Sequence, residues 1–537
     1  ALERGALGVS AMRTSAPERF FCFFLDVLPI ERLFACCCRR GKVVRARCEF
    51  TPRRKEPRLL FGVRNLLAGA AMPDHRVPDG TTLSEVALQH ASERIEGEPE
   101  AGSSSPPHVT REIAVSMASG IVRPPNFHRI GAPVPFRVPG TAEGMDAEWM
   151  TQVFRFRGYL EETGTVTKLE LKALGGDGLG AFGELVIVNL ELSGARPGAP
   201  TSFIAKFAPQ GKTDLPRFVV KQTFKVEAHF YNDFTVADGG LPRPECYGAF
   251  GNLKAKLPTF VIFMQNMMPA TTYTRVTGLA DLPRLKMVMS ALASLHARWW
   301  DFKKAPPLEW LASPQDYGGA LFNVLVFMIK KGLPALQTAF GDEYKPVLAW
   351  RKQIVSHLKY IKSAMFSPPY TLCHGDVHVD NIFFDDRFPG GCAIFDFGNM
   401  TFSPGMSDVS FFMSHNLEVD VRRKHEKELI QHYHAELLAK GVSKDDYPWE
   451  KCWYDYRFQL FRGLLAVLIL APSWAKQRRS ATGMFAAEKD GFNTKLAAMY
   501  AKYNERVVAA LTDHDWLDML LEGAATCGPC SCLPCCP

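Results

Sequence analysis

The stretch "CHGDVHVDNIFFDDRFPGGCAIFDFGN", residues 373–399, packs His374, Asp376, His378, Asp380 and Asn381 into eight positions and ends on another acid, Asp396. Branched and aromatic runs adjoin both polar clusters, so these groups lie beside segments that read as buried strands. A polar group taken out of water without a partner costs free energy, and packing alone does not account for so many. The spacing suggests a chemistry. Asp376 can accept the proton of an attacking hydroxyl, while Asn381 and, fifteen residues later, Asp396 offer hard oxygen ligands for Mg²⁺ beside phosphate groups. A D-x-x-x-x-N interval suits a loop that presents its first residue to an acceptor and its last to a metal.

Upstream, "GGDGLGAFGE" contains Gly178, Gly180 and Gly183 as G-x-G-x-x-G between two expected strands. Glycines there let backbone N–H groups approach phosphate oxygens, although a glycine-rich hairpin has the same composition. A dinucleotide site would need a helix directly after the loop. The segment that follows, "ELVIVNLEL", reads as a strand, which excludes that class. Lys206 in "FIAKF" has apolar neighbours on both sides. It either snorkels from an edge strand or meets an anion, and Glu227 on the expected helix "FKVEAHFYNDF" is its natural partner. "LPTFVIFMQNM" reads as a buried strand running into a connector, and from Asp281 onward helical periodicity dominates. A strand-rich part followed by a helix-rich part implies two lobes, with a ligand cleft between them.

"HGDVHVDN" followed by "FDFGN" resembles the aminoglycoside phosphotransferase and choline kinase superfamily, and within it the ecdysteroid kinase-like family. Further matches are E-x-x-F-Y at Glu227–Tyr231, L-A-x-L-H-A-x-x-W at Leu292–Trp300 and R-R-x-x-x-x-x-L-x-x-x-Y at Arg422–Tyr433. The likeness runs from about residue 146 to 510. It implies an α+β, bilobal protein kinase-like fold, with a small β-rich N-lobe carrying one helix and a larger, mostly helical C-lobe. It also implies an ATP- and Mg²⁺-dependent kinase acting on a hydroxyl of a small molecule: choline-, steroid-, sugar- or aminoglycoside-like. In that picture Asp376 is the base, Asn381 and Asp396 hold the metal, and Lys206, with Glu227, clamps the phosphates. Gly178, Gly180 and Gly183 form the nucleotide loop, and hinge backbone around Gln265 and Met267 holds the purine. The hinge departs from the family's usual Glu-Asp, reading Gln265–Asn266, which bears on purine selectivity. His374 is expected to brace the loop and Asp408 to be structural. A protein kinase would read H-R-D with a long activation segment; here Gly375 stands in the middle and "SPGMSDVSFFM" follows almost at once. The alternative is a catalytically inactive nucleotide-binding or scaffold protein of the same fold.

The formal charge of +7 is local: residues 1–72 hold 14 Lys and Arg against 6 Asp and Glu, and the remainder is close to neutral. Nucleic acid is therefore not an expected partner. Ten of the 14 cysteines lie in the first 48 or the last eleven residues, and the four between them form no disulfide framework. No uninterrupted run has the length of a membrane span, and "GLLAVLILAP" reads as a buried helix. The expected divisions are a basic leader and disordered linker (1–110), N-lobe (111–268), C-lobe (269–512) and Cys-rich tail (513–537). Order is expected to begin near residue 146, and a 110–515 fragment to stay folded. The leader suits either an organelle transit peptide or translated non-coding sequence, and the body a cytoplasmic setting. The tail "CGPCSCLPCC" is compatible with metal binding, acylation or disorder, and "CCC" at Cys36–Cys38 with acylation. His415, His425, His432 and His434 read as surface or core residues.

Overall fold

The computed structural model describes residues 130–174, 183–209, 217–234, 241–252, 259–301, 310–311, 320–480 and 491–526. The basic leader, the linker, Gly178, Gly180 and the cysteines of both ends lie outside them.

Asp146 caps helix α1 (Ala147–Phe156), its carboxylate accepting from the Trp149 N–H at 2.7 Å. This supplies an acceptor to one of the donors that a helix start leaves unsatisfied. Trp149, Met150, Val153 and Phe154 are buried, two i, i+4 pairs forming one apolar face. That face packs on an antiparallel sheet of β1 (Leu160–Ala173), β2 (Glu184–Ala195), β3 (Ser202–Phe207), β4 (Cys246–Asn252) and β5 (Thr259–Gln265), ordered β1-β2-β3-β5-β4. Packing begins earlier than expected. Ile130 and Phe136 are buried, and Phe136 meets the rings of Trp149 and Phe250 edge-on.

Alternation along the strands sorts the two faces of the sheet. Phe203, Ala205, Phe207, Val261 and Phe263 share a core with α1. Phe260, Ile262 and Met264 face the other way, into a core shared with α2 (Arg217–Asp233) and the helical lobe. This parity sends Lys206, between Ala205 and Phe207, to the face that carries α2. Strand β4, "CYGAFGN", was not anticipated. A Cβ on Gly248 would come within 2.9 Å of the Phe250 ring, and one on Gly251 within 2.6 Å of the Phe260 ring. Aromatic rings thus cover its glycines, a contact that strand propensity does not register.

The helical lobe begins with α3 (Leu282–Arg298), α4 (Ala320–Phe340) and the short helices α5 (Lys345–Ala349), α6 (Arg351–Ser356) and α7 (Leu358–Met365). Two small antiparallel ladders follow: β6 (Thr371–Cys373) pairs with β9 (Thr401–Ser403), and β7 (Ile382–Phe384) with β8 (Cys392–Ile394). The lobe ends with α8 (Met406–Asn416), α9 (Val419–Ala439), α10 (Trp449–Gln459), α11 (Phe461–Ser480), α12 (Gly491–Asp513) and α13 (Trp516–Thr526). Among the described residues, only Trp449–Ser480 has the length and apolarity of a membrane span, and its apolar window is 67% buried within the protein. The expected boundary at 512 is corrected by α13. Trp516 is fully buried, stacks on Phe461 with ring centroids 4.5 Å apart, and donates Nε1–H to the Phe458 carbonyl at 3.0 Å. Met519 and Leu520 are buried beside it, so a 110–515 fragment would lose part of the core.

Candidate active site

The face of β3 shared with α2 brings Lys206 to Glu227. Lys206 Nζ donates to both Glu227 oxygens, at 2.9 and 2.8 Å, and to Asp396 Oδ1 at 3.1 Å. One ammonium therefore joins the N-lobe helix to the end of β8. Burial works against the charge on Lys206, but Asp396 and Glu227 outweigh it and hold the ammonium above its ordinary value. Burial pushes the Glu227 carboxyl up, against the pull of Lys206. Asp396 has φ 67° and ψ 65°, a left-handed conformation rare outside glycine. The next residue, Phe397, stacks on Phe230 of α2 at 3.9 Å and meets Tyr231 edge-on, a second link between the lobes.

The loop of residues 374–381 lies between the two ladders. Gly375 has φ +83°, and a Cβ there would sit 2.0 Å from the Asn399 carbonyl oxygen, so only glycine allows this approach. Asp408, at the start of α8, accepts from the backbone N–H groups of His374 (2.6 Å) and Gly375 (2.9 Å). His374 bonds the Phe395 carbonyl through Nε2 at 3.0 Å and accepts the Asp376 N–H at Nδ1 at 3.2 Å. The expected bracing by both residues is borne out in these contacts. A ring nitrogen of His296, Cys373 Sγ and an Asp408 oxygen lie within 4.8 Å of one another, a spacing compatible with a metal. Each is already engaged: His296 Nδ1 with Tyr433 Oη, Cys373 with the Ser403 carbonyl, Asp408 with the loop. This cluster is the brace beneath the loop.

Asp376 Oδ1 lies 2.8 Å from His378 Nε2, and Oδ2 accepts from Asn399 Nδ2 at 3.2 Å. Burial would raise this carboxyl, but His378, Arg275 and His374 outweigh it and hold it well below the usual carboxylate range. Asn381 donates its amide N–H to the Asp376 carbonyl at 3.1 Å, which leaves its side-chain oxygen for a cation. At the hinge, the Gln265 N–H is paired with the Glu245 carbonyl at 2.8 Å, and the Met267 carbonyl with Arg387 Nη2 at 3.0 Å. Gly183, at the exit of the glycine loop, has φ +111°, and a Cβ there would lie 2.3 Å from the Phe207 carbonyl. Asn399, Arg275 and Tyr503 were not anticipated. Asn399 closes the motif "FDFGN" but had been given no role, whereas the other two carried no sequence signal.

Residues 182–442 match the ecdysteroid kinase-like family. The span runs from the glycine loop through α9, and the resemblance read from the motifs is borne out over it. No curated protein sequence matches the chain. Among solved structures, a candidate aminoglycoside phosphotransferase from Ralstonia eutropha is 13% identical, with a TM-score of 0.42 over 70% of this chain and 99% of that one. A choline kinase from Streptococcus pneumoniae is 13% identical (TM-score 0.36; 65% and 95% covered), as is a Plasmodium vivax ethanolamine kinase (0.34; 58% and 81%).

Proposed function

We propose that the protein is a phosphotransferase that moves the γ-phosphate of ATP to a hydroxyl of a small molecule. The observation that carries this reading is Lys206, whose ammonium joins Glu227 to Asp396 across the lobes. Lys206 holds phosphate oxygens, Glu227 fixes its ammonium, and the Met267 N–H meets the purine edge. Asp376, oriented by His378 and Asn399, takes the acceptor hydroxyl and removes its proton. Its depressed basicity suits a loose transition state, in which that proton leaves late. Asp396 and Asn381 fit Mg²⁺: both offer hard oxygens, and the amide N–H of Asn381 is already engaged. Bound there, the ion would neutralise charge on the phosphates.

An inactive nucleotide-binding protein would use Lys206 and Glu227 but would have no use for an oriented Asp376. The test incubates the full chain with ATP, Mg²⁺ and pooled hydroxylated metabolites, and reads products heavier by one phosphoryl group. Phosphorylated product from the wild type and none from Asp376→Asn supports the reading. Mg²⁺-dependent ATP binding without any product would favour the inactive alternative.

A further inference from the structure

Residues 374–378 belong to no helix or strand, so their backbone groups must find partners one by one. Upstream of Asp376, Asp408 takes the N–H groups of His374 and Gly375, and Arg462 of α11 donates to the Gly375 carbonyl at 3.2 Å. Downstream, that task falls to Asn416, the fully buried last residue of α8. Its Oδ1 accepts the Val379 N–H at 2.9 Å, and its Nδ2 donates to the carbonyls of Val377 and Phe412, each at 3.0 Å. One side chain thus holds a carbonyl on one side of His378 and an amide on the other. A carboxylate of the same shape could not donate, and an apolar side chain would leave the Val379 N–H buried without this acceptor. The Asn416 backbone carbonyl accepts the Leu279 N–H at 2.9 Å, so the end of α8 is itself fixed.

The run that Asn416 holds lies between Asp376 and Asn381. Within it the His378 N–H returns to the Asp376 carbonyl at 2.8 Å, and the Asn381 N–H goes to the His378 carbonyl at 2.9 Å. The place of Asn381 relative to Asp376 is therefore carried through Val377–Val379. We infer that Asn416 is a positioning residue: by holding Val377 and Val379 it fixes where Asn381 presents its side-chain oxygen relative to Asp376. The inference deepens the phosphotransferase reading and rests on it for the role given to Asn381.

Asn416→Ser shortens the side chain, and Asn416→Asp keeps its shape and acceptor but loses the donor. In the full chain, hydrogen exchange of a peptide spanning 374–384 should speed up in Asn416→Ser relative to β5 in the same sample. By calorimetry, the Mg²⁺ concentration that half-supports ATP binding should rise about tenfold in both variants, an effect of the size seen when a metal ligand loses its orienting partner. Trp516→Ala, which weakens the lobe away from the loop, should leave that concentration unchanged. In an Asn381→Ala background, Asn416→Ser should shift it no further, because the effect passes through Asn381. Unchanged loop exchange, an unchanged Mg²⁺ requirement or additive shifts in the double variant overturns the inference. Unfolding of both Asn416 variants at the assay temperature also overturns it, by making Asn416 a part of the fold alone. Absence of ATP binding by wild type defeats the phosphotransferase reading instead, and loop exchange then still decides whether Asn416 holds Val377 and Val379.

Discussion

The two walls of the candidate site hold their polar groups by different physics. On the Lys206 wall, charge faces charge: a buried ammonium meets a fully buried Glu227 and a partly exposed Asp396. On the Asp376 wall, the contacts to the carboxylate come from an imidazole and an amide, with aromatic rings behind them. Buried ions depend on one another, because removing one strands the other at a cost well above the net worth of the pair. Hydrogen bonds around a carboxylate contribute less to stability and more to direction. The first wall should therefore betray its defects in folding as well as activity, and the second chiefly in rate.

The largest expected effect is on the second wall. Asp376→Asn should lower phosphoryl transfer by ~10²–10⁴ while leaving Mg-ATP affinity within a few fold, measured by product formation and by calorimetry. Turnover near that of wild type would remove Asp376 from the chemistry. Lys206→Met should destabilise by roughly 3–5 kcal/mol in urea unfolding, because Glu227 is left buried and unpaired. Adding Glu227→Leu should recover most of that stability but none of the activity. If the double variant stays as unstable as the single one, the charge-on-charge account of this wall fails.

The helical lobe also rests on α13, where Trp516 packs against Phe461. Trp516→Ala should cost roughly 3–5 kcal/mol, read as a lowered denaturation midpoint. A loss well under that would return residues 513–526 to the status of a tail. The smallest effect concerns His415, which stacks on Phe411 at 4.1 Å and meets Tyr503 edge-on. Burial pushes its imidazole down to about 3 from the ordinary 6.5. Between those values the unfolded chain binds the extra proton, so this contribution is full above pH 6.5 and is lost as pH falls. His415→Gln should flatten the decline of melting temperature between pH 6.5 and about 4. An unchanged slope would place the acid sensitivity elsewhere.

Much of the Lys206 wall could be read directly. A lysine among apolar residues demands an anion, and strand alternation decides its face before any helix is docked. Asp376, Asn381 and Asp396 were legible for a related reason: short, dense polar spacing beside buried strands has few uses. The lobes followed from the change in periodicity near Asp281. Less was visible where contacts cross the chain. Strand β4 depends on rings packed over Gly248 and Gly251, and α13 on one tryptophan seated against Phe461. A cysteine-rich neighbour masked the short apolar run that forms α13.

Sequence by itself determined which groups the candidate site would contain, because charge, donor type and period are properties of short segments. Tertiary structure alone decided what surrounds Asp376. Arg275 lies before α3, His378 in the loop and Tyr503 in α12, 125 residues further on. No local pattern links them, since a hydrogen bond depends on distance and angle, and these were set only when α12 packed against the loop.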